Sequence, residues 1–251
     1  MWYDGFSIDF IEYRDIGKSF SIQGGDYMKR SFILVLLLVS TFTVLFSIEL
    51  KDSGNQMKAT QLAVLEIDEN PATGYLWHIG AEPSNVLRNF LEEHMAGSAF
   101  PGAPSVKGWI MTAAKEGKAL LTLKLYRDWE GERKAIDFRA VTVDVSGEEK
   151  GQVDLKIVLN EMALGSTATV TLEENGSTGY TWRYHILGEG LQEIKKETIA
   201  DTSGLVGAPA KVIWTFQAVD EGYTTIVFRY FRSWEGEGSA VDFRAFNVFV
   251  E

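Results

Sequence analysis

The chain has 251 residues, of which 45% are hydrophobic and 24% are charged, as in ordinary globular proteins. Its formal net charge of −11 argues against a nucleic-acid-binding protein, because phosphates require a basic surface. It contains no cysteine, which excludes disulfides, thiolate metal sites and a thiol nucleophile. The fold must therefore be stabilised by packed apolar cores.

The chain begins with the pattern of an export signal. Lys29 and Arg30 precede an apolar run over residues 32–46, and the small residue Ser47 follows it. This order is typical of a secretory signal peptide, and the run is shorter than the roughly 20 residues of a membrane span. We therefore expect a signal peptide at residues 28–47 and an exported protein, either extracellular or periplasmic. The alternative is an uncleaved anchor in which residues 32–46 stay in the membrane.

Residues 1–27 precede this signal, where a signal peptide would normally begin the chain. Residues 23–27 back-translate readily to a bacterial ribosome-binding sequence at a suitable distance before the Met28 codon. We expect translation to start at Met28, so that residues 1–27 are a non-native extension.

An internal repeat with an offset of 105 residues covers the rest of the chain. Six of the seven tryptophans form pairs at this offset, namely Trp77 with Trp182, Trp109 with Trp214, and Trp129 with Trp234. Such self-similarity indicates a duplicated domain. We predict domain 1 at residues 48–145 and domain 2 at residues 153–251. Between them, the polar, glycine-containing residues 146–152 are expected to form a short flexible linker.

Each repeat is predicted to be a β-sandwich. Residues 120–126 and 135–145, like residues 225–230 and 240–250, alternate apolar and polar side chains as strands do. A Trp-Glu-Gly-Glu sequence between them predicts a hairpin turn. About seven short strands in about 100 residues are typical of an immunoglobulin-like sandwich. We therefore expect an all-β protein with two tandem immunoglobulin-like domains. A helical turn within residues 85–94 or 191–197 is an open alternative to a strand there.

The sequence contains no recognisable pattern of catalytic or metal-ligating residues. Its three histidines lack zinc-site spacing, and neither a phosphate-binding glycine loop nor a Gly-x-Ser-x-Gly elbow is present. We therefore predict neither an enzyme nor a protein that needs a metal or cofactor.

Three loop motifs are instead preserved in both repeats. In repeat 1 their residues are Asn70, Pro71, Ala72, Thr73, Gly74 and Tyr75, then Gly102, Ala103 and Pro104, then Arg127, Trp129 and Glu130. In repeat 2 they are Asn175, Gly176, Ser177, Thr178, Gly179 and Tyr180, then Gly207, Ala208 and Pro209, then Arg232, Trp234 and Glu235. Asn and Gly suit tight exposed turns, and Trp and Arg at a hairpin tip are the residue types that dominate binding hot spots. The loops therefore predict a binding surface, whereas the other two tryptophan pairs are expected to fill the cores.

The order and spacing of these motifs resemble the chagasin family of inhibitors of papain-like cysteine peptidases. That family carries an Asn-Pro-Thr-Thr-Gly-Tyr/Phe loop, a Gly-rich loop and an Arg-Pro-Trp loop on an immunoglobulin-like sandwich. The resemblance implies reversible, non-covalent blockage of the peptidase cleft by three loops, with Thr73 or Thr178 over the catalytic cysteine. This sequence departs from the family pattern in two places in the third loop, where Asp128 and Ser233 replace the proline. A third departure is Gly176 at the first-loop proline, which implies weaker binding by repeat 2.

Two other classes of function are open. Exposed tryptophans at the end of a sandwich also suit sugars, and tandem copies add avidity, so an exported adhesion or carbohydrate-binding module is the alternative. A structural spacer is disfavoured because a spacer needs only its cores and not preserved loops. We expect no contact with nucleic acid, and none with the membrane once the signal has been cleaved.

Overall fold

Sixteen strands form the part of the chain that the computed structural model describes, residues 47–95, 105–200 and 208–251. Those of repeat 1 are β1 (Ser47–Glu49), β2 (Gly54–Met57), β3 (Gln61–Glu69), β4 (Leu76–Glu82), β5 (Leu87–Met95), β6 (Ser105–Ala113), β7 (Gly117–Tyr126) and β8 (Asp137–Val145). Those of repeat 2 are β9 (Gly151–Leu155), β10 (Leu159–Met162), β11 (Thr167–Glu174), β12 (Tyr180–Leu187), β13 (Leu191–Ile199), β14 (Ala210–Ala218), β15 (Gly222–Arg232) and β16 (Asp242–Val250).

The expected all-β class is confirmed, and the alternative of helical turns within residues 85–94 and 191–197 is wrong. Strands β5 and β13 occupy these segments, where they pair with β6 and β14 as the edges of their sheets. Most of the described side chains of β13 are exposed and several are charged. Such residues favour a helix locally, but pairing with a neighbouring strand overrides this weak preference.

Each sandwich consists of two four-stranded sheets. The sheet orders are β2-β8-β7-β4 with β5-β6-β3-β9, and β10-β16-β15-β12 with β1-β11-β14-β13. The four tryptophans expected in the cores, Trp77, Trp109, Trp182 and Trp214, are at most 4% exposed. Their predicted place in the cores is therefore confirmed.

The first strand of each repeat lies in the sandwich of the other repeat. Strand β1 pairs in parallel with β11, and β9 pairs in parallel with β3. Leu50, directly after β1, is buried in the core of repeat 2, and Leu155 of β9 is buried in that of repeat 1. After the exchanged strand, each repeat continues in its own sandwich, since β2 pairs with β8 and β10 pairs with β16. The expected linker, residues 146–152, leads directly into this exchange, because its last two residues belong to β9.

Reciprocal hydrogen bonds join the two segments that cross between the sandwiches. The Lys51 backbone N–H donates to Asn160 Oδ1, and that of Lys156 donates to Asn55 Oδ1, both at 2.8 Å. The two lysines and the two asparagines each stand at the repeat offset. The contact thus has approximate two-fold symmetry, as at the interface of a symmetric dimer.

The two sandwiches also pack directly on one another. The buried apolar side chains at this interface are Leu120, Ala140, Val227, Phe243 and Ala245. Among them Asn247 is fully buried, and its side chain accepts from the Ala140 N–H at 2.7 Å and donates to the Ala140 carbonyl at 2.9 Å. A buried amide with its partners satisfied favours a single arrangement, because any shift would leave polar groups unpaired.

The expected signal segment and N-terminal extension lie outside the described residues, except for Ser47, and both stay predictions. Within the residues that are described, no helix has the length and apolar character required to cross a bilayer.

Candidate functional site

The described strands that flank the three predicted loops meet the loops at one end of each sandwich. The first loop joins β3 to β4 and the third joins β7 to β8, and Leu76 at the start of β4 pairs with Tyr126 at the end of β7. The second loop ends at β6, whose first residue Ser105 pairs with Glu69, the last residue of β3. The equivalent pairs in repeat 2 are Thr181 with Phe231 and Ala210 with Glu174. The second-loop residues Gly102, Ala103, Pro104 and Gly207 themselves lie outside the described residues, and Ala208 and Pro209 lie directly before β14.

The first loop of repeat 1 is a 3-10 turn closed by its own side chains. The turn covers Pro71–Thr73, and Asn70 Oδ1 accepts from the Ala72 N–H at 3.3 Å. The Thr73 hydroxyl donates to the Asn70 carbonyl at 2.7 Å. Gly74 ends the turn at a φ of 79°, which favours glycine. The local sequence therefore forms this loop in advance of any partner.

The first loop of repeat 2 has the same form without the proline. Its turn covers Gly176–Thr178 and ends at Gly179, whose φ is 76°. Asn175 Oδ1 accepts both from the Ser177 N–H at 3.2 Å and from the Ser177 hydroxyl at 2.6 Å. Ser177 thus supplies a hydrogen bond that Ala72 lacks, where repeat 1 has the fixed φ of proline instead.

The tryptophan of the third loop rests on the glycine of the first. A Cβ added to Gly74 would lie 2.5 Å from Trp129 Cη2, and one added to Gly179 would lie 2.2 Å from Trp234 Cη2. Only glycine leaves room for these rings. Nevertheless, Trp129 is 72% exposed and Trp234 is 70% exposed. Each ring is therefore positioned by its own repeat and still open to a partner.

Arg127 joins the first and third loops of repeat 1. Its Nε donates to the Thr73 carbonyl at 3.2 Å, and its guanidinium lies 4.3 Å from the ring centre of Tyr75 and 5.7 Å from that of Trp129. Glu130 pairs with it at 3.3 Å. Cation–π contacts at exposed sites contribute about 0.5–1 kcal/mol each, so the cluster stiffens the loops modestly.

Repeat 2 reproduces this cluster around Arg232. Its Nε donates to the Thr178 carbonyl at 3.2 Å, and its guanidinium lies 4.5 Å from the ring centre of Tyr180 and 5.9 Å from that of Trp234. Glu235 pairs with it at 3.1 Å. We call the first and third loops together head 1 (residues 70–75 and 127–130) and head 2 (residues 175–180 and 232–235).

A carboxylate holds the base of each first loop, buried in repeat 1 and half-buried in repeat 2, and neither glutamate belongs to the three predicted motifs. Glu69 is 3% exposed and accepts from the Trp77 backbone N–H at 2.6 Å. Glu174 accepts from the Trp182 backbone N–H at 2.9 Å. The two glutamates stand at the repeat offset, each directly before the first-loop asparagine, so the repeat comparison contained the signal that could have found them.

The heads offer contact surface rather than reactive groups. The Thr73 and Thr178 hydroxyls are engaged in closing their own turns. Within the described ranges, no group of three or more side chains is placed to hold a metal ion. What the described parts of the heads can do is bind, through shape, aromatic faces and hydrogen bonds.

Comparison with known proteins finds one family model that matches both repeats. The model of the Chagasin family peptidase inhibitor I42 matches residues 56–143 and 161–248, one match in each repeat. No curated protein matches the chain.

Several solved structures are similar over about one repeat. They include the cysteine protease inhibitor EhICP2 from Entamoeba histolytica, with 23% identity over 37% of this chain and 86% of that one, at a TM-score of 0.34. Amebosin has 27% identity over 38% and 87% of the two chains, at a TM-score of 0.29. PbICP-C, solved in complex with falcipain-2, has 19% identity over 38% and 87%, at a TM-score of 0.28.

Proposed function

Because this chain belongs to the chagasin family of peptidase inhibitors, we propose that it inhibits papain-like cysteine peptidases reversibly and without a covalent bond. Members of that family are inhibitors and not enzymes. In this proposal each repeat uses its three loops to fill the active-site cleft of a peptidase.

The observation that carries the proposal is the exposed tryptophan held on a turn glycine, present in both repeats. Trp129 and Trp234 are each more than two-thirds exposed although their positions are fixed by contact and by an arginine. Tryptophan and arginine are enriched among the residues that dominate binding energy. A rigid aromatic anchor loses little conformational entropy on docking, which supports tight binding.

The form of the first loop supports inhibition rather than cleavage. The loop is a closed turn, and the Thr73 carbonyl accepts a hydrogen bond from Arg127. It therefore presents a folded backbone, not an extended peptide, to the catalytic cysteine that we propose it covers. The chain has no cysteine of its own that could form a mixed disulfide with the peptidase.

We also propose that the mature protein acts outside the cytoplasm. The basic, apolar and small residues of segment 28–47 support export, and the alternative of an uncleaved anchor would keep the heads on the outer face of a membrane.

The test is a titration of papain activity with the purified mature chain, beginning at Ile48. We expect inhibition that dilution reverses, with no cleaved inhibitor in the recovered protein. A glycan pull-down in parallel distinguishes the alternative. Retention on glycans without any inhibition would favour a carbohydrate-binding module and reject the inhibitor.

A further inference from the structure

Each repeat lays its loop end beside the far end of the other repeat. Arg139, the third residue of β8, lies near the loop end of repeat 1, and its guanidinium is 3.7 Å from the ring centre of Tyr223. Tyr223 is the second residue of β15, at the end of repeat 2 away from head 2. In the reciprocal contact, Lys118 near the start of β7 pairs at 3.0 Å with Asp242, the first residue of β16 after the third loop. The two sandwiches are thus antiparallel.

This arrangement separates the heads by about the length of a strand. Strand β15 runs from Tyr223, beside the loop end of repeat 1, to Arg232 in head 2. At roughly 3.3 Å per residue, these nine steps cover about 30 Å. The heads therefore lie about 30 Å apart and face in opposite directions.

Strand exchange fixes this orientation. Each sandwich contains a strand from the other repeat, and the crossing segments are held by the reciprocal bonds of Asn55 and Asn160. A second ion pair, between Arg229 and Glu82 at 2.8 Å, links β15 to the far end of β4. Rotation of one repeat against the other would require both exchanged strands to leave their sheets.

Neither repeat covers the head of the other. The exposures of Trp129 and Trp234, 72% and 70%, apply to the complete described chain with both repeats in place. The hydrogen bonds that position the two head arginines also remain within their own repeats. Each head is thus accessible from its own side.

We propose that one chain binds two peptidase molecules at the same time, one at each end, and so acts as a rigid two-headed inhibitor. This inference rests on the proposed function and adds its stoichiometry and geometry. A peptidase docked on one head approaches from the side opposite to a peptidase on the other, so the two do not compete for space.

The stoichiometry is tested with the full mature chain and papain. Head 1 is disabled by Arg127→Ala with Trp129→Ala, and head 2 by Arg232→Ala with Trp234→Ala. We expect the wild type to neutralise two papain molecules per chain and a variant with one head disabled to neutralise one. The variant with all four substitutions should neutralise none. The molar masses of the complexes, measured by light scattering, should correspond to two, one and no bound papain molecules.

Two results separate the failure of this inference from the failure of the proposed function. A wild type that neutralises one papain per chain would overturn the two-headed arrangement and leave the inhibitor intact. A wild type that neutralises none would overturn both.

The fixed orientation has a test that needs no peptidase. Since the chain lacks cysteine, Arg133→Cys with Gly238→Cys places one spin label beside each head. Pulsed electron paramagnetic resonance should give one narrow distance distribution, at about 30 Å or more. A broad distribution would show that the repeats move independently and would contradict the rigid arrangement.

Discussion

Replacing the first-loop glycines by alanine should displace the head tryptophans without unfolding the protein. The variant is Gly74→Ala with Gly179→Ala in the full chain, so that both heads change together. The added Cβ atoms would lie 2.5 Å and 2.2 Å from the tryptophan rings, far inside van der Waals contact. Because the rings are largely exposed, we expect them to swing outward rather than force the sheets apart.

The cost to stability follows from the backbone. Both glycines have φ values near 80°, where an L-residue costs roughly 1–2 kcal/mol. The double variant should therefore lose about 2–4 kcal/mol of unfolding free energy, which most globular proteins tolerate. Inhibition should weaken although the chain stays folded, because a displaced hot-spot tryptophan removes about 2 kcal/mol or more of binding free energy at each head. That corresponds to an inhibition constant about 30-fold higher.

Gly165→Ala is the control for backbone strain. Gly165 has a φ of 82°, but nothing lies within 4 Å of the Cβ that alanine would add. It should destabilise the chain without weakening inhibition. The assay is papain inhibition beside urea unfolding for each variant. If the double variant inhibited as well as the Gly165 control, the contact between ring and glycine would not matter for binding, and our account of the heads would be refuted.

Three further predictions address the interface, the second head and pH. Asn247→Ala leaves buried backbone groups unpaired between the repeats and should lower the unfolding free energy by about 3 kcal/mol. Asn55 is partly exposed, so Asn55→Ala should cost less. Equal losses of unfolding free energy in urea would contradict this prediction. Gly176→Pro should stiffen head 2 and lower its inhibition constant about threefold when head 1 is disabled, since a Cβ there meets nothing within 4 Å; weaker inhibition would count against stiffness as the cause. Burial raises the pKa of Asp137 to about 7 despite its contact with an arginine. Between about pH 4 and 7 the folded state therefore keeps a proton on this carboxyl that the unfolded chain loses. The unfolding free energy should fall, on the order of 2 kcal/mol, as the pH rises across this range. Urea midpoints across that range should show this slope diminished in Asp137→Asn, and an unchanged slope in that variant would rule out this carboxyl as its source.

Much of each head was predictable because its geometry is local. The first loop is closed by hydrogen bonds from Thr73 to Asn70 and from Gly74 to Pro71, and this glycine has a φ suited to it. Such turns are encoded by a few consecutive residues. Because the loop residues of repeat 2 stand at the repeat offset, the same turn is predicted there.

Contacts within the heads were less predictable, because they join segments distant in sequence. Arg127 reaches Thr73 across 54 positions, and the ring of Trp129 rests on Gly74. The sequence pattern indicated that these residues matter together, but their distances depend on how β4 and β7 pair. The second-loop residues Gly102 to Pro104 lie outside the described part of the chain, so their predicted role stays a prediction.

By itself, the sequence determined the all-β class, the duplication and the loop motifs, since alternating patterns and turn residues act over short distances. Only the tertiary structure decided that the first strands are exchanged. Residues 48–51 and 153–156 correspond at the repeat offset, and equivalent strands fit the edge of either sandwich. Sequence patterns specify which face of a strand is buried but not which copy of an equivalent sheet it joins. That choice depends on the crossing hydrogen bonds and the packed interface, which exist only once both repeats have folded together.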